Sequence, residues 1–217
     1  NGKLISVEYA NKNRETVIKK NLSHSNSSNE ISIEFQNAEN NTKISGLLAD
    51  TYLNVPLDTG GKSEISRQLN SYDEKGLLTE TVFHRDNLET PACDSLGVYG
   101  KKYEYNEAGQ ITSVTNLNAD GEAFNCRYGW AKVLYEYDNQ GNCVAEQYID
   151  KDNNKVSINT GISAILMTYD ENNNILSFSY SDENGNPCRD SSGVSKLACS
   201  YKENGLISDY RCSDEHG

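Results

Sequence analysis

The residues of this 217-residue chain best equipped for chemistry are its carboxylates, three histidines and six cysteines. Two carboxylates held roughly 5–9 Å apart could cleave a glycosidic bond, but nearly every Asp falls in a run that reads as a turn. Asp150, Asp152 and Asn154 alternate, as do Asp170, Asn172 and Asn174, and Asp182, Asn184 and Asn186. Alternating oxygen ligands suit calcium. Yet no twelve-position loop ending in a bidentate Glu is present, and turns favour Asp and Asn on their own account. Turn chemistry is the preferred reading, with weak calcium sites as the alternative. Cys199, Cys212 and His216 have the spacing of part of a zinc finger. Strand placement argues against zinc, because Cys199 takes the inward column of Tyr103, Tyr135 and Met167, and Cys212 the column of Tyr148 and Tyr180. His24, His84 and His216 are scattered, and no Gly-x-Ser-x-Gly elbow, phosphate loop or dinucleotide fingerprint occurs. The sequence therefore assigns no catalytic residue, no cofactor and no metal, and the chain is expected not to be an enzyme.

Charge narrows the partners. A formal charge of −12 and a pI near 4.7 argue against nucleic acid, whose phosphates need clustered Lys and Arg. They equally disfavour an anionic membrane surface, and no apolar run approaches the ~20 residues that cross a bilayer as a helix. An even number of cysteines in an acidic, Asn-rich chain points to an oxidising compartment; unpaired core thiols are the alternative. A chain opening on Asn1 rather than Met is expected to be a processed or excised piece.

The elements that must position these residues follow from a repeat. Aligning the tyrosines that precede a turn gives Tyr72, Tyr105, Tyr137, Tyr169 and Tyr201, spaced by 33, 32, 32 and 32 residues. Four residues later stand Gly76, Gly109, Gly141, Asn173 and Gly205, and six later Leu78, Ile111, Cys143, Ile175 and Ile207. Gly97, Gly129, Gly161 and Gly193 lie eight before the last four tyrosines and are expected to open each unit. A three-residue hairpin loop of a type I turn plus a left-handed residue explains the Gly column, with Asn as the next best occupant. In "YDNQGNC" the loop is then Asn139–Gly141, and Tyr137 faces Cys143. Tyr105 likewise faces Ile111, Tyr169 faces Ile175 and Tyr201 faces Ile207, favourable cross-strand pairs worth a few tenths to about 1 kcal/mol each. Val133, Tyr135 and Tyr137 alternate onto one core face, as do Ile165, Met167 and Tyr169. Further turn signals stand at "NADGE" from Asn118, "DKDNN" from Asp150 and "DENGN" from Asp182.

The fold expected is all-β, stacked hairpins of about 32 residues forming an elongated or curled antiparallel sheet. Residues 1–61 read as a cap plus an irregular repeat, and 62–217 as the regular hairpins. Around Tyr9 and Phe35 the copies are degenerate, with Glu15 and Asn41 at the expected apolar position and "NLSHSNSSN" a polar loop between them. Capping repeats are commonly polar where inner ones are apolar.

"YDEKG" at Tyr72, "YNEAG" at Tyr105, "YDNQGN" at Tyr137, "YDENNN" at Tyr169 and "DENGNP" at Asp182 make residues 62–217 resemble the YD-repeat (Rhs-like) proteins. That resemblance implies hairpins wound into a sheet that encloses, displays or binds something, in a secreted, cell-surface or periplasmic bacterial protein. Asn106 and Lys202, where the pattern has Asp, and the six cysteines depart from it.

By simple alternation Val144, Tyr148, Leu176, Phe178 and Tyr180 point away from the repeat tyrosines, with Phe83 equivalent to Tyr148. This aromatic column, Phe83, Tyr148, Phe178 and Tyr180, is the candidate binding strip for sugars or protein; the alternative is that the return segment or the curling sheet covers it. Cys93 and Cys126 precede their tyrosines by 12 and 11 residues and are expected to pair, as are Cys188 and Cys212, while Cys143 and Cys199 are expected unpaired and buried. The function expected is a non-catalytic binding or scaffold module with a protein or glycan ligand. Alternatives are an acidic partner, inhibitor or carrier, of a toxin or other basic protein, and third a polysaccharide-acting enzyme.

Overall fold

A computed structural model of the protein describes residues 6–10, 16–24, 30–37, 47–49, 56–58, 65, 67–85, 89–158 and 160–216. Among them it forms β1 (Ser6–Ala10), β2 (Thr16–His24), β3 (Glu30–Asn37), β4 (Leu47–Ala49) and β5 (Pro56–Asp58). There follow β6 (Arg67–Tyr72), β7 (Leu78–His84), β8 (Gly100–Tyr105), β9 (Ile111–Leu117), β10 (Lys132–Tyr137) and β11 (Cys143–Ile149). The last four are β12 (Ala164–Tyr169), β13 (Ile175–Ser181), β14 (Lys196–Tyr201) and β15 (Ile207–Ser213). The chain is all-β. Apart from β4 and β5, which pair with each other, the strands join one antiparallel sheet in chain order, β1-β2-β3-β6 through β15.

The sheet runs in chain order because one five-residue turn recurs. The N–H of its first residue donates to the carbonyl of the fifth, and the N–H of the fourth donates back to the first. In the loop opened by Asp138 these bonds are 3.0 and 3.1 Å, and Gly141 takes the fourth place with φ 89°. The Asp138 Oδ1 also accepts the N–H groups of Gln140 and Asn142, each at 2.9 Å. A side chain that satisfies its own loop's donors makes the turn nearly independent of its surroundings. Asn106 does the same with its amide oxygen, so the missing Asp costs the turn nothing in pattern. At Lys202 no such oxygen exists, and Asn204 Oδ1 accepts the Leu206 N–H instead, at 3.2 Å.

From Asp94 onward these turns open at residues 94, 106, 118, 126, 138, 150, 158, 170, 182, 190 and 202. The intervals of 12, 12 and 8 sum to the 32-residue period. The third turn corrects the sequence reading: Gly97, Gly129, Gly161 and Gly193 do not open a strand but fill the left-handed fourth place of this additional turn. The expected hairpin registers are present, with Tyr72 opposite Leu78, Tyr137 opposite Cys143, Tyr169 opposite Ile175 and Tyr201 opposite Ile207.

Two compact units divide the chain. The first comprises residues 1–103 and 116–122 and buries Leu22, Ile33, Ile65, Leu78, Phe83, Val98 and Leu117. The second comprises 104–115 and 123–217 and buries Cys126, Ala131, Val133, Ile149, Ile162, Ala164 and Met167. In the amino-terminal copies, Tyr9 faces Ile18 and Phe35 faces Lys20. Asn21–His24 belong to β2 rather than to a polar loop. Residues 25–29, Glu15, Asn41 and the boundary at 61 lie outside the described residues.

Gly141→Val is expected to lower stability by about 2 kcal/mol, since a Cβ in the left-handed region crowds the backbone and would also meet Gln110 Nε2 at 3.1 Å. Asn173→Gly, at φ 63°, relieves that conformation but loses a 2.8 Å bond from Asn142 Nδ2; it is expected to stay within about 1 kcal/mol of the parent. Chemical denaturation of both variants checks the turn.

A second expectation concerns acid. Hydrogen bonds from Asn174, first its side chain and then its backbone N–H, hold the Asp170 carboxyl below the usual carboxylate range, and Asp138, Asp150, Asp182 and Asp190 are lowered in the same way by their own loops. Groups depressed in the folded state stabilise it above their unfolded pKa and lose that contribution as pH falls through the folded value. Melting temperature should therefore drop below roughly pH 4. Asp170→Ala should lower it at neutral pH, and Asp170→Asn less, because the amide keeps the acceptor.

Candidate functional site

A bulge follows the hairpin turn after Tyr72, Tyr137, Tyr169 and Tyr201, and it decides which side chains share a face. Within β10 and β11, Glu136 faces Ala145 but Tyr137 faces Cys143, so Val144 is an extra residue. The same shift occurs at Tyr72, Tyr169 and Tyr201. One extra residue reverses the alternation beyond it. Tyr148 consequently lies opposite Val133, Phe178 opposite Met167, and Tyr180 opposite Ile165. These aromatics stand on the repeat-tyrosine face, not away from it as plain alternation had it. Phe83, opposite Gln68 on the Tyr72 face of the first unit, is 2% exposed and closed to a ligand. Tyr148, Phe178 and Tyr180 in the second unit are half-buried. The short return segment meets the backbone of these residues: Ala92 donates to Phe83, Val156 to Tyr148 and Cys188 to Tyr180.

The tyrosine face of the second unit carries the interaction that links one repeat to the next. Tyr137 donates its hydroxyl to the Ile111 carbonyl, Tyr169 to that of Cys143 and Tyr201 to that of Ile175, each at 2.8 Å and each across 26 residues. The acceptor is always the partner of the preceding tyrosine's hairpin. Along the turns Gln110 donates to the Gly141 carbonyl at 2.8 Å. At the other end Asn125 accepts from the Lys151 N–H, Ser157 donates to Glu183, and Arg189 binds Glu215, again 26 residues apart.

Three other phenols behave differently. Tyr135, Tyr148 and Tyr180 make no side-chain hydrogen bond among the described residues. With them stands Glu146, directly opposite Tyr135 on one side and Ile165 on the other. Across β10–β15 it is the single charged side chain whose register places it on this face, and it too has no hydrogen bond or ion pair among the described residues. Burial pushes its carboxyl above the ordinary range. Burial likewise raises the Tyr135 and Tyr148 hydroxyls, with the Glu146 charge adding to both, and raises the Cys143 thiol. The Trp130 ring meets Tyr148 edge-on at 5.6 Å between centroids. The sequence reading missed Glu146. Its signal was the column nine residues after each repeat tyrosine, which otherwise reads Thr81, Val114, Phe178 and Tyr210.

None of the six cysteines is in a disulfide, which corrects the expected pairs Cys93–Cys126 and Cys188–Cys212. Cys93 and Cys126 are not equivalent: Cys126 opens a turn, whereas Cys93 immediately precedes the turn-opening Asp94. In the second pair each thiol has another neighbour, Cys188 lying near Asp182 and Cys212 near the Tyr180 phenol. Cys143 and Cys199 are free but half-buried rather than buried. Of the zinc-like trio, Cys199 faces Tyr210, Cys212 faces Leu197, and His216 lies 3.5 Å from Glu215. Asp150, the calcium candidate, has Oδ1 occupied by two N–H groups of its loop and Oδ2 by Asn154 Nδ2.

No protein-family model matches the chain, and no curated protein matches it. Among solved structures it is similar to a chain of a mutant Tc holotoxin pore from Photorhabdus luminescens, at 11% identity and a TM-score of 0.43. The match covers 96% of this chain and 9% of that one, so the protein spans a small part of the chain it matches. At that score neither fold nor function is carried across.

Glu146 has the opposite pH sign to the turn aspartates. Its folded-state pKa is raised, so the fold favours the proton, and stability falls as pH rises from the ordinary Glu value through the raised one. Glu146→Gln is expected to melt above the parent at pH 7 and level with it near pH 4. Paired thermal melts at the two pH values test the assignment.

Proposed function

We propose that the chain is a non-catalytic binding or scaffold module of a secreted or cell-surface bacterial protein, and that its ligand side is the tyrosine face of the second unit. One observation carries this reading: the phenol hydroxyls of Tyr135, Tyr148 and Tyr180 make no hydrogen bond among the described residues, whereas Tyr137, Tyr169 and Tyr201 on the same face all do. Aromatic rings with an unspent polar tip suit recognition of sugars and of protein surfaces. The turn carboxylates support the same reading from the other side. Depressed well below neutral and committed to their loops' N–H groups, they are poorly suited to give or take a proton near pH 7. The YD-repeat resemblance supports the secreted or surface setting.

The net charge of −12 favours a second, compatible reading, an acidic partner of a basic protein such as a toxin, since opposite fields steer association.

Tyr180→Ala is expected to leave the fold intact by circular dichroism and to abolish binding to ligands found on a glycan array or among basic proteins. Polysaccharide hydrolysis removed by a single Asp→Asn change would overturn the proposal.

A further inference from the structure

We infer that Glu146, with the rings of Tyr135 and Tyr148 beside it, is a recognition site for an arginine side chain of a basic protein partner. The inference rests on the binding-face reading above and names the chemistry of the ligand.

Glu146 is out of place for a purely structural residue. Desolvating a carboxylate is costly unless a cation or several donors compensate, and here the register surrounds it with Tyr135, Ile165, Cys143 and Tyr148. The equivalent positions in other repeats hold Thr81, Val114, Phe178 and Tyr210, so the repeat itself does not call for a charge. A half-buried charge with no partner among the described residues leaves room for one supplied from outside.

What the site lacks is a cation, since no Lys or Arg of β10–β15 has a register that places it on this face. Two carboxylate oxygens and the phenol oxygens of Tyr135, Tyr148 and, one row further through Ile165, Tyr180 gather on this face, and none accepts a bond from another described residue. A guanidinium carries five N–H donors in a planar fork that engages a carboxylate through two parallel bonds and lies flat against an aromatic ring. An ammonium would satisfy the charge but neither the fork nor the stacking. The chain's −12 charge favours a basic protein over a free small cation, because the whole field then contributes to the encounter.

The chain offers its own reporter, since Trp130 is its single tryptophan and touches Tyr148. The whole protein is titrated at fixed ionic strength with acetyl-arginine amide, acetyl-lysine amide and tetramethylammonium, following Trp130 fluorescence. Saturable binding is expected, tightest for the arginine amide. Glu146→Gln should weaken it at least tenfold. Glu136→Gln, which removes the same charge from the exposed opposite face of β10, should leave it unchanged. Equal loss in both variants would mean diffuse attraction and would overturn the site, as would undiminished binding in Glu146→Gln or no saturable change with millimolar arginine amide. Tighter binding of tetramethylammonium or of the lysine amide would overturn the choice of guanidinium. Glycan or basic-protein binding that survives Glu146→Gln but not Tyr180→Ala would overturn the arginine site alone and leave the binding-face reading standing.

Discussion

The turn clamped by its own first side chain is the constraint from which the rest of this structure follows. An Asp or Asn oxygen accepting two N–H groups of its loop, as Asp138 and Asn106 do, satisfies donors that would otherwise need water or a partner strand. The loop is thereby fixed at three residues with a left-handed fourth place, and a bulge must follow where the ladder resumes. Strand length, register and the identity of each face are then determined within a dozen residues. Contacts this local suit a protein assembled from thin repeats, each of which buries little apolar surface alone.

Local turns do not by themselves hold one repeat to the next. In the second unit that role falls to the tyrosine hydroxyls, which reach 26 residues back to the carbonyls of Ile111, Cys143 and Ile175. Each bond contributes on the order of 1 kcal/mol, and each ties a strand to the hairpin before it, beside the ladder hydrogen bonds. The side-chain contacts at the turns, among them Gln110 to Gly141 and Arg189 to Glu215, repeat the arrangement at both strand ends. Stability is therefore distributed over nearest neighbours rather than drawn from one thick core, in keeping with a mean hydropathy of −0.73.

This economy explains where reactive groups are and are not at liberty. The aspartates that dominate the sequence are consumed as acceptors in turns, and their depressed pKa values are a by-product of folding. Of the five phenols on the tyrosine face of β10–β13, Tyr137 and Tyr169 are consumed in joining repeats. The remainder, with Glu146 among them, have no such duty, and the mismatch between Glu146 and its column is what separates a site from a scaffold. A carboxylate whose pKa is raised by burial stands out against a background of carboxylates whose pKa is lowered by their own loops.

The sequence by itself determined the period, the class of turn and the hairpin registers, because these rest on interactions within six residues: Gly or Asn where φ is positive, Asp where N–H groups need an acceptor, an apolar residue opposite each tyrosine. Tertiary structure decided the rest. Alternation read from the sequence put Tyr148, Phe178 and Tyr180 on the wrong face, since one bulged residue, Val144 or Leu176, is invisible to a period-two count and inverts everything beyond it. The third turn was concealed because Cys126 and Ile158 open it in two copies without an Asp to announce it. Cysteine pairing failed as a sequence argument because an even count carries no geometry, and a one-residue offset between Cys93 and Cys126 is enough to deny equivalence. Glu146 was legible as a letter in a column, but its significance needed its neighbours, since only the packed sheet half-buries this carboxylate and leaves it without a partner among the described residues.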